Sequence, residues 1–264
     1  MARRERSKRG KYLYAIVPAT GQRTYNLTGI DGAPVYAIAI GRVAAAVSNV
    51  PNVEIRPEPR HLAAQQRVLQ GLLAATDALL PMAFGIIADA PKAIKTLLAS
   101  HHEVLLRQLL RVAGMVEMGV RVTYDAPDIF AYFIHAHPEL RAARDRGLGL
   151  CPQPSQEGQI ELGRFDRLLN QDRENYTGKV IDILSPDCQE IKRQHCRSES
   201  EVMNLACLVR RQALDRFEEG VFAAARLFDH NFIFDCNGPW APHNFTEVDL
   251  KLLTRTGNRS RVSP

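Results

Sequence analysis

Three residues in the second half of the chain carry side chains that could act as a nucleophile and a base. Cys188, His195 and Cys196 lie close together in the sequence, and a thiol beside an imidazole is the pair that catalysis by cysteine requires. The surrounding residues predict a strand, however, and alternation along a strand places His195 and Cys196 on opposite faces. The pattern therefore favours structural or surface roles for these three residues.

The other candidates for metal or cofactor chemistry lack the necessary spacing. The five cysteines are an odd number without a C-x-x-C pair, which argues against both a zinc ribbon and a disulfide framework. Neither His101 with His102 nor His135 with His137 has the i, i+4 spacing of a zinc-binding helix. The glycines of residues 29–32 precede a strand and lack the lysine of a phosphate-binding loop. No catalytic, cofactor-binding or metal-binding residue is therefore predicted, and we expect the chain not to be an enzyme.

One segment suggests recognition of a partner protein. The single tryptophan, Trp240, lies between two prolines just after the last predicted strand. Prolines hold a chain extended, and tryptophan is enriched among the residues that dominate protein interfaces. We predict a partner-binding segment that consists of Asn237, Gly238, Pro239, Trp240, Pro242 and Phe245. The alternative is a stiff turn whose tryptophan closes the end of a sheet.

The elements that position this segment form two small α+β domains. Residues 12–112 predict an N-terminal mixed α/β sheet domain, since short apolar strands are followed by helices with apolar residues at three- and four-residue spacing. The predicted elements are strands at 12–17, 36–40 and 43–47, a helix over 62–79, a strand over 81–87 and one helix over 94–112. Residues 19–34 predict a loop.

Residues 113–250 predict a C-terminal α+β domain. Val116, Met118, Val120 and Val122 alternate with polar residues or glycine, which is typical of a half-buried strand. The predicted order is strand, helical segment, two strands, helix and strand. This βαββαβ order, with an added helical segment, predicts a ferredoxin-like fold with one sheet face open to a partner.

The net charge of +5 belongs to the two ends of the chain. Residues 1–11 sum to +5 and residues 251–264 sum to +4, which leaves about −4 for residues 12–250. Both ends are poor in apolar residues, and we predict that they are disordered basic tails. No window is apolar enough to span a bilayer or to act as a secretory signal. We therefore expect a cytoplasmic protein with reduced thiols and no membrane or nucleic-acid partner.

Several segments together resemble the gas vesicle protein F/L (GvpF/GvpL) family. They occur in the family's order from about residue 12 to residue 250, and no single one of them is specific alone. These segments are residues 12–18, 29–32 leading into 35–40, 80–85, 116–120, 203–209 and 237–240. The chain departs from the family after Trp240, where Ala241-Pro242-His243 replaces a Pro-Pro-Tyr-like continuation.

The resemblance implies a non-enzymatic accessory or minor structural protein of gas vesicle assembly. Its implied partners are gas vesicle shell protein A and other accessory proteins, and its implied location is the gas vesicle. A shell subunit with an apolar side would aggregate before assembly, and covering that side would prevent this. The alternatives are a ferredoxin-like small-molecule-binding or catalytic protein, and nucleic-acid binding through the tails.

Overall fold

The computed structural model describes residues 9–21, 24–126, 128–145 and 156–246 of the 264-residue chain. These residues fold into two compact units. The first unit contains the described residues up to Glu117 and those from Pro239 onward, and the second contains residues 118–238. The fold is of the α+β class, with two sheets and helices. The predicted domain boundary near residue 112 stays a prediction, and residues 251–264 lie outside the described residues.

The first unit is built on a six-stranded sheet with the order β2-β3-β4-β1-β5, in which β6 also pairs with β1. Its strands are β1 (Arg9–Pro18), β2 (Thr24–Thr28), β3 (Pro34–Ile40), β4 (Val43–Pro51), β5 (Leu80–Pro81) and β6 (Ile87–Ala88). Its helices are α1 (Pro59–Ala75), α2 (Pro91–Ser100) and α3 (His102–Arg111). The predicted hairpin at Gly41 is confirmed, since β3 and β4 pair antiparallel up to Ile40 and Val43.

Helices cover both faces of this sheet. Leu13 lies in an apolar core with Leu97 of α2 and Leu105 of α3. The neighbouring Tyr12 points the other way and donates a hydrogen bond from its hydroxyl to Gln65 of α1. Because successive side chains of a strand point to opposite faces, β1 is buried on both sides.

Four predictions for the first unit are wrong in detail. Strand β1 begins at Arg9 and pairs with β4 from that residue, so residues 9–11 belong to the sheet and not to a tail. The predicted loop at 19–34 contains the edge strand β2, which is held by the buried Tyr25. The predicted strand over 81–87 is two short strands, β5 and β6, on either side of a turn in which Gly85 has φ 86°.

The fourth difference is a break in the predicted helix over 94–112. The chain leaves helical geometry at His101, with φ −117° and ψ 15°. The next residue, His102, accepts a hydrogen bond from the backbone N–H of Arg42 in the β3–β4 turn. The break thus lets α2 and α3 follow the same sheet face, a tertiary effect that the apolar spacing does not encode.

The second sheet has the order β10-β7-β9-β8. Its strands are β7 (Met115–Tyr124), β8 (Cys188–Arg193), β9 (Glu201–Arg210) and β10 (Phe232–Trp240). The associated helices are α4 (Ile129–Ala136), α5 (Pro138–Asp145), α6 (Gln156–Leu184) and α7 (Leu214–Ala225). Pro138 therefore begins a second helix, where its missing N–H costs nothing, in addition to ending the first.

The core of the second unit lies between its sheet and these helices. The alternating residues Met118, Val120 and Val122 of β7 pack with Phe133 of α4 and Phe217 of α7. Cys207 is fully buried in the same core and acts as a small apolar side chain, as predicted.

The second face of this sheet is less open than predicted. Ala206 and Leu208 of β9, which point away from the core, are only 3% and 0% exposed. Towards the β10 edge, in contrast, Arg121 of β7 and Ile233 of β10 are exposed. Within the described residues, the surface that this sheet offers to a partner therefore lies along β10.

Candidate partner-binding site

Strand β10 is an edge strand that contains the first half of the predicted partner-binding segment. It lies at one end of the sheet, so in the described part of the chain only β7 pairs with it. Phe232 and Phe234 pack against the core, whereas Ile233 between them is 49% exposed. An edge strand presents unpaired backbone N–H and C=O groups to which another chain can add.

The exposed end of β10 consists of Cys236, Asn237, Gly238 and Pro239. Gly238 has φ 129°, a conformation that side chains with a Cβ rarely adopt. Pro239 carries no N–H, which limits backbone pairing at this position. Edge pairing by a partner is therefore confined to the part of the strand before Gly238.

The second half of the predicted segment is more buried. Trp240 is half-buried, Pro242 is buried, and Phe245 is only 1% exposed. Pro242 and Phe245 are thus turned inward, whereas His243 and Asn244 between them are exposed. The surface that the six predicted residues offer to a partner consists of Asn237, Gly238, Pro239 and part of Trp240.

A buried carboxylate that the sequence pattern did not single out holds this region. Glu117 of β7 is 7% exposed. Its carboxylate oxygens accept hydrogen bonds from the backbone N–H of Asn244 at 2.8 Å and from its side-chain amide at 2.6 Å. Arg111 also donates to the backbone carbonyl of Phe245. The alternating pattern of β7 predicted a solvent-facing Glu117, and the sequence contains no signal for its partner 127 residues away.

The glycine-containing loop of residues 29–32 makes close packing contacts in the first unit. Asp31 adopts φ 51°, and its carboxylate lies 3.2 Å from Nε2 of the buried His61. Gly29 lies against Tyr14, so closely that a Cβ at Gly29 would be 2.0 Å from the tyrosine hydroxyl oxygen. The loop packs against the sheet of the first unit through these contacts.

The thiols and imidazoles do not form a nucleophilic site in the described residues. Cys188 lies at the start of β8, whereas His195 and Cys196 follow the strand's end at Arg193. Burial raises the pKa of the Cys196 thiol, which keeps it in the protonated form at neutral pH. Among the residues that the structure describes, no three His, Cys, Asp or Glu side chains are placed to hold a metal ion.

None of the described helices combines the length and the apolar character needed to cross a bilayer.

The sequence matches a known family over residues 10–247, and the description of that family is gas vesicle synthesis protein GvpL/GvpF. The chain belongs to the GvpL/GvpF family. The resemblance seen in the short segments is thereby confirmed.

Individual members of the GvpL/GvpF family agree with this assignment over most of their length. Gas vesicle protein F of Dolichospermum flosaquae is 27% identical over 90% of this chain and 98% of its own. Gas vesicle protein F of a Streptomyces species is 29% identical over 89% of this chain and 99% of its own. Gas vesicle protein L1 of Halobacterium salinarum is 27% identical over 89% of this chain and 90% of its own.

Solved structures of GvpF share the fold. The crystal structure of GvpF from Anabaena sp. PCC7120 superposes with a TM-score of 0.80 at 25% identity, covering 91% of this chain and 99% of that chain. The crystal structure of GvpF from Microcystis aeruginosa superposes with a TM-score of 0.76 at 21% identity, covering 90% of this chain and 99% of that chain.

Proposed function

We propose that this protein is a non-catalytic accessory or minor structural protein of gas vesicle assembly that acts in the cytoplasm and on the vesicle. The observation that carries the proposal is the family match over residues 10–247. In this role the protein binds the small hydrophobic shell protein and prevents its premature aggregation. It also binds other accessory proteins of gas vesicle assembly.

The β10 edge supports this proposal with surface chemistry that suits an apolar, aggregation-prone partner. The exposed Ile233 lies on the edge strand of the second sheet, and the half-buried Trp240 is the last residue of that strand. A partner strand added to this edge before Gly238 would satisfy backbone hydrogen bonds, while Ile233 would contact apolar side chains and Trp240 would act as a separate aromatic anchor. Both the backbone and the apolar surface of a shell subunit would be covered in this way.

We also propose that the second unit has the ferredoxin-like arrangement. The strand order β10-β7-β9-β8 supports it, because β9 lies between β7 and β8 while β7 lies between β9 and β10. Two strand–helix–strand connections are thus interleaved in one sheet, as in a split βαβ fold. This arrangement places the last strand at an edge of the sheet.

Changing Trp240 to Ala tests the proposed shell-protein site. We expect affinity-tagged Trp240→Ala to recover at least about tenfold less co-expressed shell protein than the wild-type chain, since buried interface tryptophans contribute about 2 kcal/mol or more. Trp240→Phe, which keeps an aromatic ring, should recover an intermediate amount. The measurement is the ratio of the two proteins after affinity purification.

Phe222→Ala is the matched control, because Phe222 is an aromatic residue of α7 that is 68% exposed. It should leave recovery unchanged, and circular dichroism should show that each variant is folded. Equal recovery by Trp240→Ala and the wild-type chain would remove Trp240 from the site. If the wild-type chain recovers no shell protein but a metabolite raises its melting temperature, the small-molecule alternative gains support.

A further inference from the structure

A pocket of about 610 Å³ with several charged side chains in its lining opens on the second unit, away from the β10 edge. Its walls come from α6 and from the chain that leaves β8 and returns as β9. The residues used below are Arg173, Glu174, Arg193, His195, Arg197 and Glu199. The volume falls in the range of pockets that hold small molecules, about 300 to 1,000 Å³.

Arg173 of α6 fixes one wall of this pocket. Its Nη2 donates hydrogen bonds to the backbone carbonyls of Ser198 at 3.3 Å and Glu199 at 2.8 Å. These bonds orient the guanidinium group, whereas its Nε–H is buried and has no acceptor among the described residues. Arg173 therefore contributes an oriented positive charge whose donors are not all satisfied by the described part of the protein.

Two further donors of the pocket have no side-chain partner among the described residues. Arg197 is exposed, and within the described residues its one hydrogen bond is the bond that its backbone N–H donates to the carboxylate of Glu201. The ring of His195 is exposed as well. Since Arg has five N–H donors and no acceptor, Arg197 alone supplies a planar fork suited to a carboxylate or a phosphate.

The carboxylates of the pocket do not neutralise these groups. Glu174 is bound to Arg193 at 2.5 Å, and Glu199 is the only other acidic residue in the described lining. Three arginines and two glutamates in the described lining give one net positive charge before His195 is counted. The carboxylate of Glu201 also lies beside Arg197, but it is bound by the Arg197 backbone N–H and lies 3.8 Å from Arg121. A pocket of the first unit with a larger volume of about 710 Å³ has a single charged residue, Lys95, in its described lining.

We propose that this pocket of the second unit binds the oxyanion group of a small molecule, a phosphate or a carboxylate. Arg197 would bind the anion directly, and the oriented guanidinium of Arg173 would add positive potential beside it. The ligand site is separate from the β10 edge and goes beyond the proposed binding of shell protein.

Calorimetric titration of the full chain with pyrophosphate and with citrate tests this proposal at constant ionic strength, with sodium chloride as the reference. We expect saturable binding of at least one anion, and its identity separates a phosphate ligand from a carboxylate ligand. Arg197→Ala should weaken that binding at least about tenfold, the amount expected for a lost charge-assisted hydrogen bond. Because the Arg197 side chain is exposed and has no partner among the described residues, this variant should fold like the wild-type chain.

Arg107→Ala is the matched control, since Arg107 is an exposed arginine of α3 in the first unit. It should bind the anion as the wild-type chain does, and so should Trp240→Ala. The proposal is overturned if neither anion binds above the sodium chloride reference. It is also overturned if Arg197→Ala binds normally or loses no more affinity than Arg107→Ala. Loss of shell-protein recovery by Trp240→Ala with intact anion binding would show that Trp240 does not contribute to the anion site.

Discussion

Gly29→Ala is expected to lower the free energy of unfolding of the first unit by about 3 kcal/mol and its melting temperature by roughly 10 °C. A Cβ at residue 29 would lie 2.0 Å from the hydroxyl oxygen and 2.8 Å from Cζ of Tyr14. Tyr14 is fully buried and cannot rotate into solvent. The methyl group must therefore displace either the ring or the loop.

Displacement of Tyr14 is costly because its hydroxyl is the centre of a buried polar cluster. It accepts a hydrogen bond from the backbone N–H of Ile30 at 2.8 Å and lies 2.8 Å from the hydroxyl of Ser48. Ser48 is itself fully buried. A buried polar group that loses its partner costs about 1 to 3 kcal/mol, and this cost adds to that of overpacking.

Thermal unfolding followed by circular dichroism measures the effect, and Gly178→Ala is the control. Gly178 lies inside α6, and nothing in the described structure lies within 4 Å of a Cβ added there. The same chemical change should there stabilise the protein by about 0.5 to 1 kcal/mol, because alanine is the better helix former. A melting temperature of Gly29→Ala within a degree or two of wild type would contradict the predicted overlap.

A double-mutant cycle with Tyr14→Phe locates the overlap. Removing the hydroxyl takes away the atom at 2.0 Å, although Cζ remains at 2.8 Å. We expect the double variant to be less destabilised than the sum of the two single variants, since residues in contact are not additive. Additive effects would place the strain elsewhere in the loop.

Local patterns predicted the elements whose burial is one-sided, and β7 is the clearest case. Its alternation placed Met118, Val120 and Val122 on one face, and all three lie in the core. The same rule failed at Glu117, because the first residues of β7 are buried on both faces. The carboxylate is satisfied by Asn244, and no periodic pattern within a strand can show such a long-range partner.

The edges and breaks of elements were harder to predict for a related reason. Strand β2 lies in a segment rich in turn-forming residues, and its pairing with β3 includes a register shift. The segment predicted to bind a partner was defined by Trp240 and its prolines, but the sequence pattern did not show which of its residues turn inward. Phe245 is buried where Glu117 accepts a hydrogen bond from Asn244 and Arg111 donates one to the carbonyl of Phe245. Both contacts are tertiary.

Glu117→Ala should release the segment that follows Trp240 and lower the free energy of unfolding by about 3 kcal/mol. The change removes two hydrogen bonds to a charged acceptor, each worth about 1.5 to 3 kcal/mol. It also leaves a cavity beside the backbone of Asn244 at a position only 7% exposed. The free energy of unfolding of Glu117→Gln should lie between those of the wild-type chain and Glu117→Ala. The glutamine amide keeps one acceptor oxygen, but it places N–H groups where Asn244 also donates.

Hydrogen exchange distinguishes release of the segment from general destabilisation. In Glu117→Ala, the amides of residues 241 and 243–246 should lose more protection, relative to the wild-type chain, than those of the core strands β1 and β4. The control is Arg60→Ala in α1 of the first unit, which removes the exposed ion pair of Arg60 with Glu58. An exposed pair contributes only about 0 to 1 kcal/mol, so this variant should unfold almost as the wild-type chain does. Equal destabilisation by the two variants, or unchanged protection of residues 241–246 in Glu117→Ala, would show that the buried carboxylate does not hold the segment.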